Sequence, residues 1–331
     1  MVKYNKKSER NVLLMIRNGK TEIQNSAKLK RKKIWAQIVR DRQLYILLLP
    51  FVLYYIIFYY MPMYGLQIAF KDYKPLVGIW ESEWVGLKHF VNFFTGPYAW
   101  RTIRNTLMIS TMNLCINFTL TIVFAILLNE ISQKKLRSAV QTIAYMPHFI
   151  STVVVAGLVV ALLSPGSGVI NMLLERLGFE KIYFLAKPEY FRWIYTFMTG
   201  WQSIGFETIM YTSAICSIDE ALYEAARVDG AGRLRRIFNI TIPGISGTIA
   251  VMLIMRIGQL MSLGSDAILL LYQPITYETA DVISTFVYRS GIEESNYSFA
   301  SAVGLFNSVI SLILVVCSNA ISRKISDNSI W

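Results

Sequence analysis

Charged residues are scarce in this chain of 331 residues: Asp, Glu, Lys and Arg make up only 16% of it. Soluble domains carry about 25% charged residues. Hydrophobic residues account for 54% of the chain. A water-soluble helical protein is therefore excluded in favour of an all-α integral membrane protein with one bundled domain.

Metal ligands and redox-active residues are also few. The three cysteines, Cys115, Cys216 and Cys317, lie far apart, no CxxC spacing occurs, and the histidines are His89 and His148. Structural zinc and a disulfide framework are therefore not expected. The phosphate-loop pattern GxxxxGK followed by Ser or Thr is absent, so we do not expect this chain to hydrolyse ATP by itself. No constellation of His, Asp and Glu predicts a membrane enzyme.

Long apolar stretches with few or no charges follow one another along the chain. They lie within 43–70, 105–129, 138–174, 193–216, 245–263 and 295–322. Each has room for the ~20 residues that cross ~30 Å of hydrocarbon as a helix. The sequence therefore predicts six transmembrane helices.

Basic residues concentrate ahead of the first of these stretches. Residues 1–43 hold 13 Lys and Arg against three acidic residues, and include the run KLKRKK at 28–33. Cytosolic segments carry such an excess, and anionic lipid headgroups attract it. We therefore predict a cytosolic tail over 1–43, not a nucleic-acid arm, and a transmembrane domain over 44–331. The charges of the other loops predict that both termini are cytosolic.

A polar stretch over 217–244, SIDEALYEAARVDGAGRLRRIFNITIPG, separates the fourth and fifth spans. Ser217 and Glu220 have the spacing of a capping box, which predicts a helix start. Gly230 and Gly232 allow left-handed or tight backbone geometry and predict its end. Between them, small and apolar side chains share one helix face. This face consists of Leu222, Ala225, Ala226 and Asp229.

The stretch resembles the EAA loop of permease subunits of ATP-driven, binding-protein-dependent importers. The family pattern is Glu-Ala-Ala, three residues, Gly, nine residues, Ile, one residue, Leu-Pro, and only Ile242 departs from it, in place of leucine. The matching residues are Glu224, Ala225, Ala226, Gly230, Ile240 and Pro243. MPMYGLQIAFKDYKP, YMPHFIST and DVISTFVYRSG resemble the carbohydrate-uptake permeases for polysaccharide-derived, complex oligosaccharides.

The resemblance implies a type I ABC importer permease fold in a bacterial cytoplasmic membrane. It implies ATPase coupling through Leu222, Glu224, Ala225, Ala226, Asp229 and Gly230. The implied partners are a second homologous permease, expected as a heterodimer, two ATPase subunits, an extracytoplasmic sugar-binding protein and membrane lipids. ATP and Mg would be bound by the ATPase partner, and no cofactor by this chain. The implied cargo is an oligosaccharide, with pectin- or rhamnogalacturonan-derived fragments as the nearest substrates.

A sugar path through the bundle needs polar groups and aromatic faces. The candidates within the predicted spans are Asn113, Asn117, Trp201, Gln202 and Gln259. Each could equally form an interhelical hydrogen bond or, for the tryptophan, lie at the membrane interface. That structural interpretation is the preferred one for any single residue.

Glu207 and Arg256 are each the one charge within their predicted span. At ~1.5 Å per residue they lie ~14 Å and ~18 Å from the cytosolic ends, so their depths are comparable. An unpaired charge at the bilayer centre costs at least ~2.5 kcal/mol. We therefore predict that they form an ion pair facing the bundle interior. The alternatives are an acidic sugar bound by Arg256, and an ion-coupled secondary transporter that uses both charges but leaves the EAA register unexplained.

The segment 264–299 between the last two spans is acidic. Asp281 is expected to cap a short helix with Val282, Ile283, Phe286 and Val287 on its apolar face. The segment is interpreted either as a docking surface for a binding protein or as a solvated outer loop.

Overall fold

Most of the chain is helical in the computed structural model, which describes residue 37 and residues 39–325. The strands in this part of the chain are Lys71–Asp72 and Glu83–Trp84, which pair antiparallel with Lys71 opposite Trp84. His89 fixes this hairpin, since its Nε2 lies 3.1 Å from the carbonyl of Lys71. The all-α prediction is confirmed.

The helix bounds are as follows. The α-helices are Arg42–Tyr55, Met61–Met63, Gly78–Glu81, Lys88–Thr95, Ala99–Asn113, Thr119–Asn129, Lys134–Tyr145, Thr152–Leu163, Val169–Arg176, Pro188–Cys216, Glu220–Val228, Arg233–Arg236, Ile242–Gly244, Ser246–Gly258, Ser265–Leu271, Tyr277–Ala280, Ile283–Tyr288 and Tyr297–Ile325. The π-helical turns are Ile56–Tyr60, Leu114–Phe118, Ile237–Thr241 and Arg289–Glu293. The 3-10 turns are Tyr64–Phe70, Met146–Phe149, Phe184–Ala186 and Pro274–Thr276.

By internal contacts the chain divides after Gly65 into two units. In the first, the helix Arg42–Tyr55 continues through a π-helical turn as far as Met63, and none of these residues is buried. Residues 1–36 of the predicted basic tail lie outside the described residues. The division at residue 43 therefore stays a prediction.

Within the described residues, three helices are long and apolar enough to cross a membrane: Arg42–Phe70, Ala99–Asn129 and Tyr297–Arg323. Two bent pairs raise the number to five if each pair is one span. The pairs are Lys134–Phe149 with Thr152–Leu163, bent by 98°, and Arg233–Gly244 with Ser246–Gly258, bent by 61°. The helix Pro188–Cys216 has 29 residues but many polar side chains, and it is not among these spans. The number six stays a prediction.

The first bend lies in the YMPHFIST segment, within the apolar stretch 138–174 in which the sequence predicts the third span. Ile150 and Ser151 adopt extended conformations after the 3-10 turn Met146–Phe149, and they end the helix. A new helix then starts at Thr152, with the Ser151 hydroxyl accepting a hydrogen bond from the Val154 amide at 3.4 Å. The Ile150 carbonyl at the bend accepts a hydrogen bond from Gln202 Nε2 at 2.8 Å, so this backbone group is satisfied within the bundle.

The helix Ala99–Asn129 buries its polar side. Small polar residues lie at helical spacings of three, four and seven along one face and are at most 5% exposed: Thr102, Asn105, Thr106, Ser110, Asn117 and Thr121. The large apolar side chains of Leu107, Leu120 and Leu127 are exposed instead. Small and polar residues at helix contacts, with apolar residues outward, are typical of bundles packed in lipid.

The helix Pro188–Cys216 passes its neighbours at very short distance. A Cβ at Gly205 would clash with the Ala144 carbonyl, and one at Gly200 would clash with the Asn117 side chain. Glycine at these positions lets the backbones approach closely, as small residues do in membrane helix contacts. This helix therefore becomes the centre of the bundle around which the cavity described below forms.

The segment 264–299 is not a solvated loop. It forms short helices, and Ile268, Val282 and Ile283 are completely buried in the core. The solvated-loop interpretation is therefore wrong, because alternating apolar residues in this segment pack under the polar ones. The helix predicted after Asp281 forms over Ile283–Tyr288.

Asp281 does not cap this helix, contrary to prediction. Its fully buried carboxylate forms ion pairs at 2.8 Å with Arg101 and Arg289, and it accepts a hydrogen bond from the Thr285 hydroxyl at 3.0 Å. Burial opposes the charge of Arg289, but hydrogen bonding and attraction from Asp281 outweigh it and raise the pKa of that guanidinium. One carboxylate thereby joins the helix Ala99–Asn113 to the stretch 281–289.

Replacing Asp281 with Asn is expected to destabilise the protein by about 3–5 kcal/mol, because it leaves two partly buried arginines without their counter-charge. The thermal midpoint of the purified protein measures this effect. Glu294→Gln is the matched control, since Glu294 is an exposed acid of the same segment without an ion pair among the described residues. Equal midpoints for the two variants would contradict a structural role for the Asp281 cluster.

Candidate functional site

A polar cavity of about 610 Å³ lies inside the bundle. Four segments line it: the helix Ala99–Asn129, the bend 148–152, the helix Pro188–Cys216 and residues 256–264. Asn, Gln, Ser and Thr side chains alternate with Phe118, Phe149 and Tyr195 on its wall. Such a mixture of hydrogen-bonding groups and aromatic faces suits a sugar, which presents hydroxyls at its edges and C–H groups on its faces.

Six of the seven intramembrane residues selected from the sequence line this cavity. They are Asn113, Asn117, Gln202, Glu207, Arg256 and Gln259. Trp201 does not line it, but lies 53% exposed beside Phe197 and Val155 in a separate, apolar groove. Successive residues of a helix point about 100° apart, so Trp201 and Gln202 face different surroundings. The roles of all seven residues in transport stay predictions.

The two asparagines bind the neighbouring helix as well as lining the cavity. Asn113 Nδ2 donates to the Thr199 hydroxyl at 2.9 Å, and Asn117 Nδ2 donates to the Thr196 carbonyl at 3.2 Å. Asn117 is only 5% exposed. Gln202 Nε2 likewise donates to the Ile150 carbonyl at 2.8 Å, which holds the bend in place. These contacts are the interhelical hydrogen bonds of the preferred structural interpretation.

Arg256 and Glu207 form an ion pair between Nη2 and Oε1. Both side chains line the cavity and keep part of their surface exposed, 38% for Arg256 and 26% for Glu207. The pair therefore lies at the wall of a polar space rather than in a dry core, which reduces the cost of charge inside the bundle. Arg256 keeps further guanidinium donors that no described side chain accepts from.

Sequence reasoning missed several lining residues: Ser110, His148, Tyr195, Thr199 and Ser203. A signal for most of them was present, because Tyr195, Thr199, Gln202 and Ser203 follow a helical period, as do Ser110, Asn113 and Asn117. His148 had no such signal, since only the bend brings it to the wall, where it stacks on Phe206 at 4.0 Å. No group of three or more His, Cys, Asp or Glu that could hold a metal ion occurs in the described part of the chain.

The loop helix predicted within 217–244 forms over Glu220–Val228. Its N-cap is Asp219, whose side chain accepts from the Ala221 amide at 3.0 Å, so the capping box at Ser217 was wrong. Ser217 instead donates to the Ala214 carbonyl at 2.7 Å, because it still belongs to the end of the preceding long helix. Gly230 has φ +74°, the left-handed conformation that its position in the motif predicted.

The small face of this loop helix is open to the surroundings. Leu222 is 54% exposed, Ala225 and Asp229 are exposed, and Ala226 is half-buried. An adjacent side is attached to the bundle, where the Tyr223 hydroxyl hydrogen-bonds to Thr241 at 3.0 Å. A partner that binds this face would therefore act on a helix joined to the spans on both sides.

A double-mutant cycle tests whether Glu207 and Arg256 stabilise each other. Glu207→Gln and Arg256→Gln should each lower the folded yield, because each strands one charge inside the bundle. The double variant should recover part of the loss, with a coupling energy of about 0.5–3 kcal/mol. Losses that simply add would show that the two charges do not stabilise each other.

Residues 117–327 match the sequence model of a protein family described as "Binding-protein-dependent transport system inner membrane component". The polygalacturonan/rhamnogalacturonan transport system permease protein YteP of Bacillus subtilis (strain 168) is 41% identical over 304 residues, which are 92% of this chain and 95% of that protein.

Two solved structures are also similar. A crystal structure of a bacterial ABC transporter involved in the import of the acidic polysaccharide alginate contains a chain that is 48% identical, with a TM-score of 0.83, covering 89% of this chain and 99% of that one. A second structure shows the bacterial alginate transporter in complex with an alginate pentasaccharide-bound periplasmic protein, with 47% identity, the same TM-score and the same coverage. Together with the fold, the EAA register and the polar cavity, these similarities show that this chain belongs to the inner membrane component family of binding-protein-dependent transport systems.

Proposed function

We propose that this chain is a permease subunit of an ATP-driven importer that carries acidic oligosaccharides across a bacterial cytoplasmic membrane. The observation that carries the proposal is the polar cavity with a guanidinium on its wall, inside a bundle that bears the EAA loop. The relatives support the cargo class, because polygalacturonan, rhamnogalacturonan and alginate are named for them. Uronate units of such polymers carry one carboxylate each.

Transport would proceed by alternating access to the cavity. Two ATPase subunits would bind and hydrolyse ATP with Mg, and this chain would supply no catalytic group. The loop helix Glu220–Val228 would dock on one ATPase through its exposed small face. Closure of the ATPases would then move the loop as a rigid lever and turn the cavity outward, because a packed helix pair moves as a body.

The remaining partners follow from the same proposal. A second homologous permease would complete the path, and an extracytoplasmic protein would deliver the sugar. The similar alginate transporter was solved with a periplasmic protein bound, which supports the delivery step. The basic tail and the loop at 217–244 would be cytosolic, as the distribution of positive charge favours.

An ion-coupled secondary transporter is not favoured. In that alternative Glu207 and Arg256 would bind or release the coupling ion, whereas in the structure they bind each other. Membership of the family also explains the EAA motif and its spacing, which an ion-coupled mechanism does not explain.

The cargo class is tested by uptake into cells that carry the complete importer. Trigalacturonate should be taken up in an ATP-dependent manner, and its fully methyl-esterified form, which has the same length but no charge, should compete at least about tenfold less well, a difference of ~1.4 kcal/mol. Equal competition by the ester would contradict an acidic cargo. Uptake that persists without the ATPase subunits would contradict the energy source.

The docking face is tested by Ala225→Arg. This change places a long charged side chain in a contact made of small residues, and it should lower the amount of ATPase that co-purifies with the permease at least about tenfold while membrane insertion is unchanged. Glu220→Arg is the control, because Glu220 is exposed on the same helix but points about 140° away from Ala225. Normal assembly of the Ala225 variant would remove the proposed docking site.

A further inference from the structure

Four arginines lie near the N-terminal ends of the helices Ala99–Asn113 and Pro188–Cys216: Arg101, Arg104, Arg192 and Arg289. Arg101 and Arg289 share the buried carboxylate of Asp281. Among the described residues, Arg104 and Arg192 have no ion pair with any carboxylate. The cluster therefore contains two guanidiniums with a structural partner and two without one.

Arg192 is held by neutral groups. Its Nη2 donates to Asn105 Oδ1 at 3.0 Å and its Nη1 lies 3.2 Å from the sulfur of Met108. Its Nε is buried and has no hydrogen-bond partner. A buried donor without an acceptor is unfavourable, so the neutral partners satisfy this guanidinium only in part. Contact with a carboxylate would come through its Nη groups, because the Nε is buried.

Arg104 adds a second positive charge beside Arg192. Asn105 links the two, since its Nδ2 donates at 2.9 Å to the Glu278 carbonyl, which also accepts from Arg104 Nη2 at 3.5 Å. Burial is the main cause that lowers the pKa of Arg192, repulsion by Arg104 lowers it further, and attraction by the Glu278 carboxylate opposes this to a smaller extent. An added anion would therefore be stabilised at this position.

The position of Arg192 relates it to the cavity. Tyr195 and Thr199, which line the cavity, follow Arg192 by three and seven residues on the same helix and so share its face. Arg192 thus lies one turn beyond the aromatic wall of the cavity, at the end of the helix that the proposed orientation places outside.

We propose that Arg192, with Arg104 beside it, forms an anion site at the outer mouth of the cavity that binds a substrate carboxylate before the sugar reaches Tyr195. The site would make this residue a determinant of specificity for acidic over neutral oligosaccharides. This inference rests on the proposed function, which supplies an acidic cargo. Its position, next to the aromatic wall but apart from the Arg256–Glu207 pair, distinguishes it from the charge inside the cavity.

The test uses the complete importer and trigalacturonate as the probe. Arg192→Gln should raise the KM for trigalacturonate about tenfold, the effect of ~1.4 kcal/mol of lost charge-assisted binding, and leave competition by the methyl-esterified form unchanged. Glutamine can still donate to Asn105, so a purely structural role would move both values little. Arg192→Lys should retain part of the discrimination, because the charge remains while the fork of donors is lost.

Arg176→Gln is the control, since Arg176 is an exposed arginine without an ion pair among the described residues and lies away from the cluster. A KM for Arg192→Gln equal to that of the control would overturn the inference, while uptake of trigalacturonate by the unchanged importer would leave the proposed function standing. If the Arg192→Gln importer does not assemble, the same KM measurement is made on Arg104→Gln, which should assemble because Arg104 is exposed. A KM for trigalacturonate that is higher in Arg104→Gln than in the unchanged importer at low salt, with a smaller difference at high salt, supports the anion site. Equal KM values at low salt overturn it.

Discussion

Hydrogen bonds between two long helices, Ala99–Asn129 and Pro188–Cys216, are the interaction on which the rest of the bundle depends. Asn113 and Asn117 reach Thr199 and the Thr196 carbonyl, and Gly200 leaves the room that Asn117 needs. Lipid offers no competing hydrogen-bond partners, so polar groups of these helices must be satisfied inside the bundle. The same stripe of polar residues therefore holds the helices together and supplies the wall of the cavity.

The helix Pro188–Cys216 connects the functional parts along its length. Arg192 lies near its first turn, the cavity residues Tyr195 to Glu207 follow, and its last turn leads into the loop helix Glu220–Val228. Its 29 residues correspond to about 44 Å at ~1.5 Å per residue. In the proposed transport cycle, a continuous helix of that length would carry a displacement of the loop to the cavity as a rigid body.

Charge is used in two different ways in this molecule. The carboxylate of Asp281 is fully buried and holds two arginines, so its purpose is to join segments. The Arg256–Glu207 pair lies at the cavity wall with both side chains partly exposed. A fully buried carboxylate that binds two guanidiniums is structural, whereas a pair beside a polar space can offer donors to a ligand.

The sequence alone determined the class of the protein and six residues of the cavity wall. The low charge, the apolar stretches and the register of Glu224, Ala225, Ala226 and Gly230 identified an all-α permease, because lipid imposes long helices and the motif imposes a fixed backbone geometry. Comparable depths of Glu207 and Arg256 also indicated that they could meet. These properties depend on local spacing, which the sequence contains.

Only the tertiary structure decided what contacts what. It separated Trp201 from Gln202, bent the third span by 98° at Ile150 and Ser151, and made Asp281 the partner of Arg101 instead of a helix cap. It also brought His148 to the cavity wall and left Arg192 without a carboxylate. Each of these outcomes depends on how distant segments pack. The surrounding helices, and not the neighbours along the chain, determine which groups a side chain contacts.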